Sequence, residues 1–241
     1  MSHRRLQDVE IDERYTRDEP SMASKRSTRD GVLTIVGGFF IMLYLGCFFL
    51  WHNISVYVLS YFYYVNGTTD FSFVYLVDCG LVFFNLMGYQ IGSYLIQARR
   101  WHPKLVLTLG CVVSLLGNYA SSLTTSISTY LLCYALMNGI GCGSCYLVPM
   151  ICGWDYFPQR RGLVTGLSLF GYGFGSFIFS QISTAVVNPA GLDPIPDASH
   201  AVNFYPEEVA MRVPIMIRQM TYIWCFLVLI GICLTSRPNS N

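Results

Sequence analysis

The segment from Gly139 to Gly175 constrains the fold of this chain more than any other. It consists of two apolar runs, each dense in glycine, joined by a short polar hinge. In water, each glycine would cost a helix roughly 1 kcal/mol relative to alanine. In a bilayer the backbone must form its hydrogen bonds internally, so helix persists, and small residues let neighbouring helices approach closely. The segment therefore predicts two tightly packed membrane helices, with glycines at helical spacing in their contacts: Gly139 and Gly143, Gly162 and Gly166, Gly171 and Gly175.

Apolar segments of similar character recur along the chain, in which 53% of residues are hydrophobic and 12% are charged. A membrane-spanning helix needs about 20 apolar residues. The first, fourth and fifth segments exceed that length, so we expect them to be tilted, kinked or extended. The pattern predicts an all-α membrane protein, with a six-helix transmembrane bundle over residues 31–236. The six segments are Val32–Phe62, Phe73–Gln97, Leu105–Ser122, Thr129–Phe157, Gly162–Val187 and Met220–Ser236.

The two ends of the chain differ from the bundle in composition. Residues 1–30 contain about half of all the charged side chains and no apolar core, which excludes a secretory signal sequence. We interpret this segment as a disordered cytosolic tail of balanced charge, although a regulatory or binding role stays open. Residues 237–241 are expected to form a short cytosolic C-terminus.

The distribution of Lys and Arg among the connections predicts the orientation of the spans. Basic residues cluster before the first span and in the second and fourth connections, whereas the first and third connections contain none. The positive-inside rule then places both termini in the cytosol and makes the chain a multi-pass integral membrane protein, in a membrane that the sequence does not identify. The basic residues concerned are Lys25, Arg26, Arg29, Arg99, Arg100, Lys104, Arg160 and Arg161.

Six spans with both ends inside, and basic clusters after the second and fourth, resemble one half of a major facilitator superfamily transporter. The run Gly92-Ser-Tyr-Leu-Ile-Gln-Ala-Arg99-Arg100 resembles the superfamily's motif between spans two and three, except that Ile96 or Gln97 stands in place of its acidic residue. The stretch Trp51–Tyr61, the glycine-rich fourth and fifth spans, and the segment Phe204–Arg218 resemble the oxalate/formate antiporter and monocarboxylate transporter branch.

This resemblance implies a fold of 3+3 inverted repeats and transport of small organic anions, such as monocarboxylates, oxalate or formate, by alternating access. Members of the superfamily have twelve spans in two halves, with the solute between them. Three explanations of a six-span chain stay open. It is a fragment or truncated product, it pairs with a second six-helix half (itself or another chain), or it has lost transport and acts as an interaction or structural subunit.

Ionisable groups inside spans are costly and are therefore the first candidates for function. His52 in span one and Asp78 early in span two are the two clear cases. A histidine can donate, accept or become charged, which suits an anion or proton coupling, but it can equally be satisfied by a neighbouring helix. Asp78 is a candidate for proton coupling or for a structural role near the outer end of its span. The polar residues that we expect to bind solute alongside His52, or to hydrogen-bond between helices, are Asn53, Asn85, Asn138 and Tyr146.

The hinge between spans four and five contains Asp155, Arg160 and Arg161. In the superfamily, cytoplasmic basic residues near helix ends pair with acidic groups or helix C-termini and stabilise one gating state. We therefore predict a gating role for these three residues, and the alternative is that the arginines only fix the topology.

Several other classes of function are disfavoured. The glycine motifs lie inside apolar helices without a preceding strand or a Lys-Ser/Thr pair, so they do not predict nucleotide binding. No nucleophile–base pair, paired carboxylates or metal-ligating constellation is found in the spans, so we expect neither an enzyme, nor a metal site, nor a cofactor. No basic face suits a nucleic acid. The expected partners are the lipid bilayer, a small organic anion and a second six-helix half.

Overall fold

The structure is a computed structural model that describes residues 22–195 and 203–236. The regular structure of the described residues is helical, apart from one antiparallel backbone bridge between Ile195 and Phe204. The expected cytosolic ends at residues 1–21 and 237–241 lie outside the described residues. The helices are α1 (Met22–Leu45), α2 (Trp51–Asn66), α3 (Ser72–Gln97), α4 (Pro103–Ser121), α5 (Ile127–Tyr130), α6 (Asn138–Cys145), α7 (Val148–Tyr156), α8 (Arg161–Val187), α9 (Glu207–Ala210) and α10 (Val213–Leu234).

Six helical stretches are long and apolar enough to cross a membrane, which confirms the predicted number of spans. Most boundaries lie within a few residues of those predicted, and two starts differ more. Helix α1 begins at Met22, ahead of the expected start of the bundle at residue 31. The sixth span begins at Glu207 rather than at Met220. The spans are Thr28–Asn66, Ser72–Gln97, Pro103–Ser121, Ile127–Tyr156, Pro158–Val187 and Glu207–Leu234.

The two most buried spans are interrupted helices. In the first span, a 3₁₀ turn over Gly46–Leu50 separates α1 from α2. In the fourth span, a π-helical turn over Leu131–Met137 joins α5 to α6. A second break follows α6, since Pro149 has no N–H to continue the helix and occupies the first turn of α7. By contrast, α8 runs unbroken through the fifth span.

The packing of the spans follows an approximate two-fold pattern. The first span packs against the fifth and the sixth, and in the same way the fourth span packs against the second and the third. The first span also contacts the fourth, and the third contacts the sixth. Exchanging spans one, two and three with four, five and six leaves this set of neighbours unchanged. The contacts therefore have the arrangement of 3+3 inverted repeats.

Glycines lie where neighbouring helices approach each other most closely. Four of the six glycines named in the sequence analysis occupy such positions, as predicted. A Cβ atom at Gly143 would meet the backbone oxygen of Asn85 on span two, and one at Gly175 would meet that of Leu43 on span one. Gly139 and Gly171 lie similarly against Phe84 and Phe39.

The prediction was wrong for the other pair of glycines. A Cβ atom at Gly162 or at Gly166 would meet no other atom within 4 Å, and the same holds at Gly173. These three residues share one face of α8, which points away from span one and from the rest of the bundle. Their small size therefore serves no contact within the described chain.

A buried aromatic cluster joins spans one, two and four. Trp51, Phe62, Phe73, Tyr130 and Tyr134 are each 5% exposed or less, and their rings lie 5.2–6.3 Å apart. The indole Nε1 of Trp51 and the hydroxyl of Tyr130 are buried without a hydrogen-bond partner among the described residues. The packing of this cluster therefore includes two polar groups whose desolvation is not compensated.

Stacked rings hold the long fifth connection against the end of span one. Tyr63 stacks on Phe204 at 4.2 Å between ring centroids, and Tyr57 stacks on Tyr205 at 4.4 Å. The backbone N–H of Tyr205 donates to the hydroxyl of Ser60 at 3.0 Å. Burial, together with the hydroxyl of Tyr57, raises the pKa of Tyr205 to about 12. Tyr205 is therefore a neutral group at any physiological pH.

Candidate functional site

His52 and Asp78, which the sequence offered as separate candidates, face each other across spans one and two. The Nε2 atom of His52 lies 3.5 Å from Oδ1 of Asp78. Among the side chains of residues 28–195 and 203–236, this is the one pair of opposite ionisable groups close enough for an ion pair. The side chains of His52 and Asp78 are 64% and 39% exposed, so a ligand can reach both from outside the bundle. The sequence did not predict that the two would meet.

An aromatic series continues from His52 across the same side of the molecule. Phe49, one turn before His52, packs against Tyr172 of span five at 5.2 Å between ring centroids. Tyr172 meets Tyr146 of span four edge-on at 5.4 Å. Tyr146 lies 6.2 Å from Tyr89 of span two. The series therefore passes through spans one, five, four and two in turn.

Helix α3 closes this series into a circuit. Asp78, Asn85 and Tyr89 are separated by seven and four residues, a spacing that places them on one helical face. We call the surface enclosed in this way the four-span face. It is defined by Phe49, His52, Asp78, Asn85, Tyr89, Tyr146 and Tyr172.

The chemistry of the four-span face suits a small anion that is bound without a fixed cation. No hydrogen bond of the hydroxyls of Tyr89, Tyr146 and Tyr172 is found among the described residues, so each is available to donate to a ligand. None of the residues that define the face is a Lys or an Arg. His52 is therefore the residue of the face that can carry a positive charge, which the carboxylate of Asp78 offsets unless Asp78 is protonated too.

Asn53 lies beside the four-span face and joins two spans. Its side-chain Nδ2 is within hydrogen-bond distance of the carbonyl of Ser180 at 3.2 Å, the hydroxyl of Ser183 at 3.3 Å and that of Thr184 at 3.1 Å. These contacts connect span one to span five. Asn53 thus acts as an interhelical donor in this structure, and its proposed contact with solute stays a prediction.

Asn138 does not reach the four-span face. It is 1% exposed, and its Oδ1 accepts from the hydroxyl of Ser114 at 2.6 Å and from Nδ2 of Asn118 at 2.9 Å. The thiol of Cys142 also lies 3.2 Å from this oxygen. Tyr146, two turns further along, is half-buried and belongs to the face. The break after Cys145 separates the environments of Asn138 and Tyr146, which a regular helix would have kept on one side.

The hinge residues lie where the fourth span ends and the fifth span begins. Asp155, Arg160 and Arg161 are exposed, and a 3₁₀ turn over Pro158–Arg160 connects the two spans. The indole of Trp154 donates to the hydroxyl of Thr165 at 3.0 Å and ties the spans across the hinge. The gating role of the three charged residues stays a prediction.

Sequence reasoning missed Phe49, Tyr89 and Tyr172. Aromatic residues make up 15% of the chain, so no single tyrosine stood out. The signal that was available is the spacing of Asp78, Asn85 and Tyr89 on α3, which places a tyrosine on the same face as an ionisable group. No group of three potential metal ligands occurs in the part of the chain that the structure describes.

The known proteins to which this chain is similar are transporters or carriers. No family model matches the chain. It is 27% identical over 259 aligned residues to apicoplast pyruvate carrier 1 of Toxoplasma gondii, covering 90% of this chain and 47% of the relative. It is 33% identical over 101 residues to monocarboxylate transporter 13 of Rattus norvegicus, covering 42% of this chain and 23% of the relative.

The solved structure of the inward-open xylose transporter XylE from E. coli has a similar fold, with a TM-score of 0.59 at 12% identity. The match covers 87% of this chain and 47% of that one. The chain thus spans about half the length of the pyruvate carrier and of the xylose transporter. These relatives are transporters or carriers rather than enzymes.

Proposed function

We propose that this chain, which has the fold of one six-helix half of a major facilitator superfamily transporter and resembles the monocarboxylate transporter branch, is half of a carrier for small monocarboxylates. Pyruvate is the first solute to test, because the Toxoplasma relative is a pyruvate carrier. Formate and oxalate are further candidates on the basis of the sequence resemblance. A second six-helix half, from the same or another chain, would complete the site.

The observation that supports this proposal best is the four-span face. It combines three unpaired tyrosine hydroxyls with an accessible histidine–aspartate pair, on an open side of the bundle. In major facilitator transporters the solute site lies between the two halves near the bilayer midplane. Tyr172 is close to the middle of the Pro158–Val187 span, so the tyrosines are at a suitable depth.

The His52–Asp78 pair could couple protons to the solute. With one proton shared by the pair, imidazolium and carboxylate cancel each other, and the face has no net charge. With a second proton on Asp78, the imidazolium is left unbalanced and the face carries one positive charge. A carboxylate that binds this form makes a neutral complex, whose movement through the bilayer avoids the cost of an isolated charge.

Alternating access would then follow from rocking of this bundle against its partner half. In this arrangement the hinge residues Asp155, Arg160 and Arg161 would bias one gating state, and both chain termini would lie in the cytosol. The open glycines of α8, Gly162, Gly166 and Gly173, would lie near the partner, because small residues permit close helix approach.

The test is to purify the full chain in mild detergent, determine its oligomeric mass, and reconstitute it into liposomes preloaded with unlabelled pyruvate. We expect exchange of external labelled pyruvate above that of protein-free liposomes, and loss of this exchange in His52→Ala. The matched control is His102→Ala, because His102 caps α4 in the second connection, away from the four-span face.

Two results would contradict the proposal. One is equal exchange by the His52→Ala variant and the unmodified protein. The other is a protein that folds and self-assembles but exchanges no pyruvate, formate or oxalate, whereas a folded monomer without exchange would point to a second half on another chain. The second result would favour the non-transporting subunit, whose four-span face would be packed against another protein.

A further inference from the structure

A groove between the fifth and sixth spans shares no lining residue with the four-span face. It has a volume of about 510 Å³, and its lining is partly polar. It opens at the end of the bundle that carries the first, third and fifth connections, where α8 ends and α10 begins. The lining residues are Ala185, Val186, Pro189, Arg212, Ile215 and Gln219.

Arg212 is an exposed cation with no carboxylate partner in the described chain. It directly precedes α10, and the one ion pair among the side chains of residues 28–195 and 203–236 is that of His52 with Asp78. Glu207 and Glu208, on the short helix α9, are exposed and do not come within ion-pair distance of it. The guanidinium is therefore free to bind an external anion.

The position of this arginine is unusual for its end of the bundle. The connections at residues 67–71, 122–126 and 188–206 contain no Lys or Arg. Arg218 lies on the same helix, but it does not line the groove, and its Nε donates to the carbonyl of Pro214 at 3.3 Å. Arg212 and Arg218 are thus the two Lys or Arg residues near this end of the bundle, and Arg212 is the one that lines the groove.

The rest of the groove matches the shape of a lipid. Arg212, Ile215 and Gln219 share one face of α10, and Gln219 lies about 10 Å further along the helix axis than Arg212. Val186 and Ala185 form an apolar wall on the opposite helix. From the helix end inward, a ligand would meet a cation, then an amide, between apolar walls.

We propose that this groove binds an anionic phospholipid, with the phosphodiester on Arg212 and the acyl chains along the walls of α8 and α10. Arginine binds phosphate oxygens through two parallel hydrogen bonds. The N-terminus of the 22-residue helix α10 adds a favourable field at the same place. Gln219 donates to the glycerol ester oxygens.

The experiment measures lipid binding to the full chain, reconstituted in phosphatidylcholine nanodiscs with and without phosphatidylglycerol, by native mass spectrometry of retained lipid. We expect Arg212→Gln to bind phosphatidylglycerol at least about tenfold more weakly, the loss expected for a charge-assisted hydrogen bond. Arg212→Lys retains part of the binding. Ala185→Trp, which fills the groove and keeps its charge, also loses it.

The matched control is Arg218→Gln, which removes the same charge from the same helix outside the groove. Retention of lipid binding by Arg218→Gln supports a site at Arg212. Equal losses of binding in the two variants would mean that the lipid responds to the net charge of this end of the bundle, which would overturn the proposal. Binding by Arg212→Gln at the level of the unmodified protein would also overturn it. Displacement of the lipid by inorganic phosphate would reassign the site to a free anion.

Discussion

The Nε2 atom of His52 lies 3.5 Å from Oδ1 of Asp78, and this contact links the first two spans on the open side of the bundle. Each group alone would be a costly charge within a span. Together they can hold one or two protons, and the net charge of the four-span face changes with that number. Under the proposed function, we expect this pair to connect solute movement to a proton gradient.

Asp78→Asn is predicted to separate proton coupling from solute exchange. The asparagine keeps a polar group near His52 but cannot take up or release a proton. We expect exchange of labelled for unlabelled pyruvate to continue, while accumulation driven by a pH gradient falls to the level of protein-free liposomes. If accumulation persists in this variant, the coupling site lies elsewhere.

Tyr172→Phe and Tyr146→Phe are predicted to weaken solute binding without affecting folding. Each change removes one hydroxyl that has no partner among the described residues. Loss of a hydrogen bond to a carboxylate raises KM for pyruvate roughly tenfold. The control is Tyr222→Phe, at a 61% exposed tyrosine on span six. Equal KM values for all three variants would exclude these hydroxyls from the site.

Asn138→Ala is predicted to act through stability. Its Oδ1 accepts from Ser114 and Asn118 in the buried space between spans three and four. Interhelical hydrogen bonds in membranes contribute about 0.6 kcal/mol on average, with a maximum near 1.7 kcal/mol. Because two such bonds are lost, we expect the free energy of unfolding to fall by about 1–2 kcal/mol. Pyruvate KM should be unchanged in the folded fraction; a raised KM would return Asn138 to the set of solute ligands.

Two glycines on one helix provide a matched test of the close contacts. A Cβ atom at Gly175 meets the backbone of Leu43, whereas one at Gly173 meets no atom within 4 Å. Gly175→Ala should therefore force spans one and five apart and lower the thermal midpoint. Gly173→Ala should leave it unchanged or raise it, since alanine favours helix by up to about 1 kcal/mol. The same midpoint in both variants would contradict the packing of α8 on span one.

Tyr130→Phe is predicted to leave the protein as stable or to stabilise it. The hydroxyl of Tyr130 is buried without a partner among the described residues, and leaving such a group unpaired costs about 1–3 kcal/mol. Phenylalanine keeps the packing with Trp51 and Tyr134 and removes that cost. A drop in the thermal midpoint would show that the hydroxyl has a partner, such as an ordered water.

The spans and the glycine contacts were predictable because both depend on local sequence. Apolar length and glycine spacing act within one helix, and Gly143 and Gly175 lie where that spacing predicted. The prediction failed at Gly162 and Gly166, because periodicity shows which glycines share a face but not whether another helix covers it.

The four-span face depends on distances between residues of different helices, which a single sequence does not contain. His52 and Asp78 could be identified by their charge, but not as a pair. Asn138 and Tyr146 are eight residues apart, a spacing that a regular helix would keep on one side, but a break follows Cys145 between them. Pro149 was the local sign of that break.

The most direct test of the four-span face is the protection of His52 by solute. The purified chain is treated with diethyl pyrocarbonate with and without pyruvate, and modification of each histidine is measured by peptide mass spectrometry. His102, outside the face, is the internal control. We predict that His52 is modified and that pyruvate lowers its modification but not that of His102. A His52 that reacts equally with and without saturating pyruvate, or that does not react at all in the folded protein, would contradict the account.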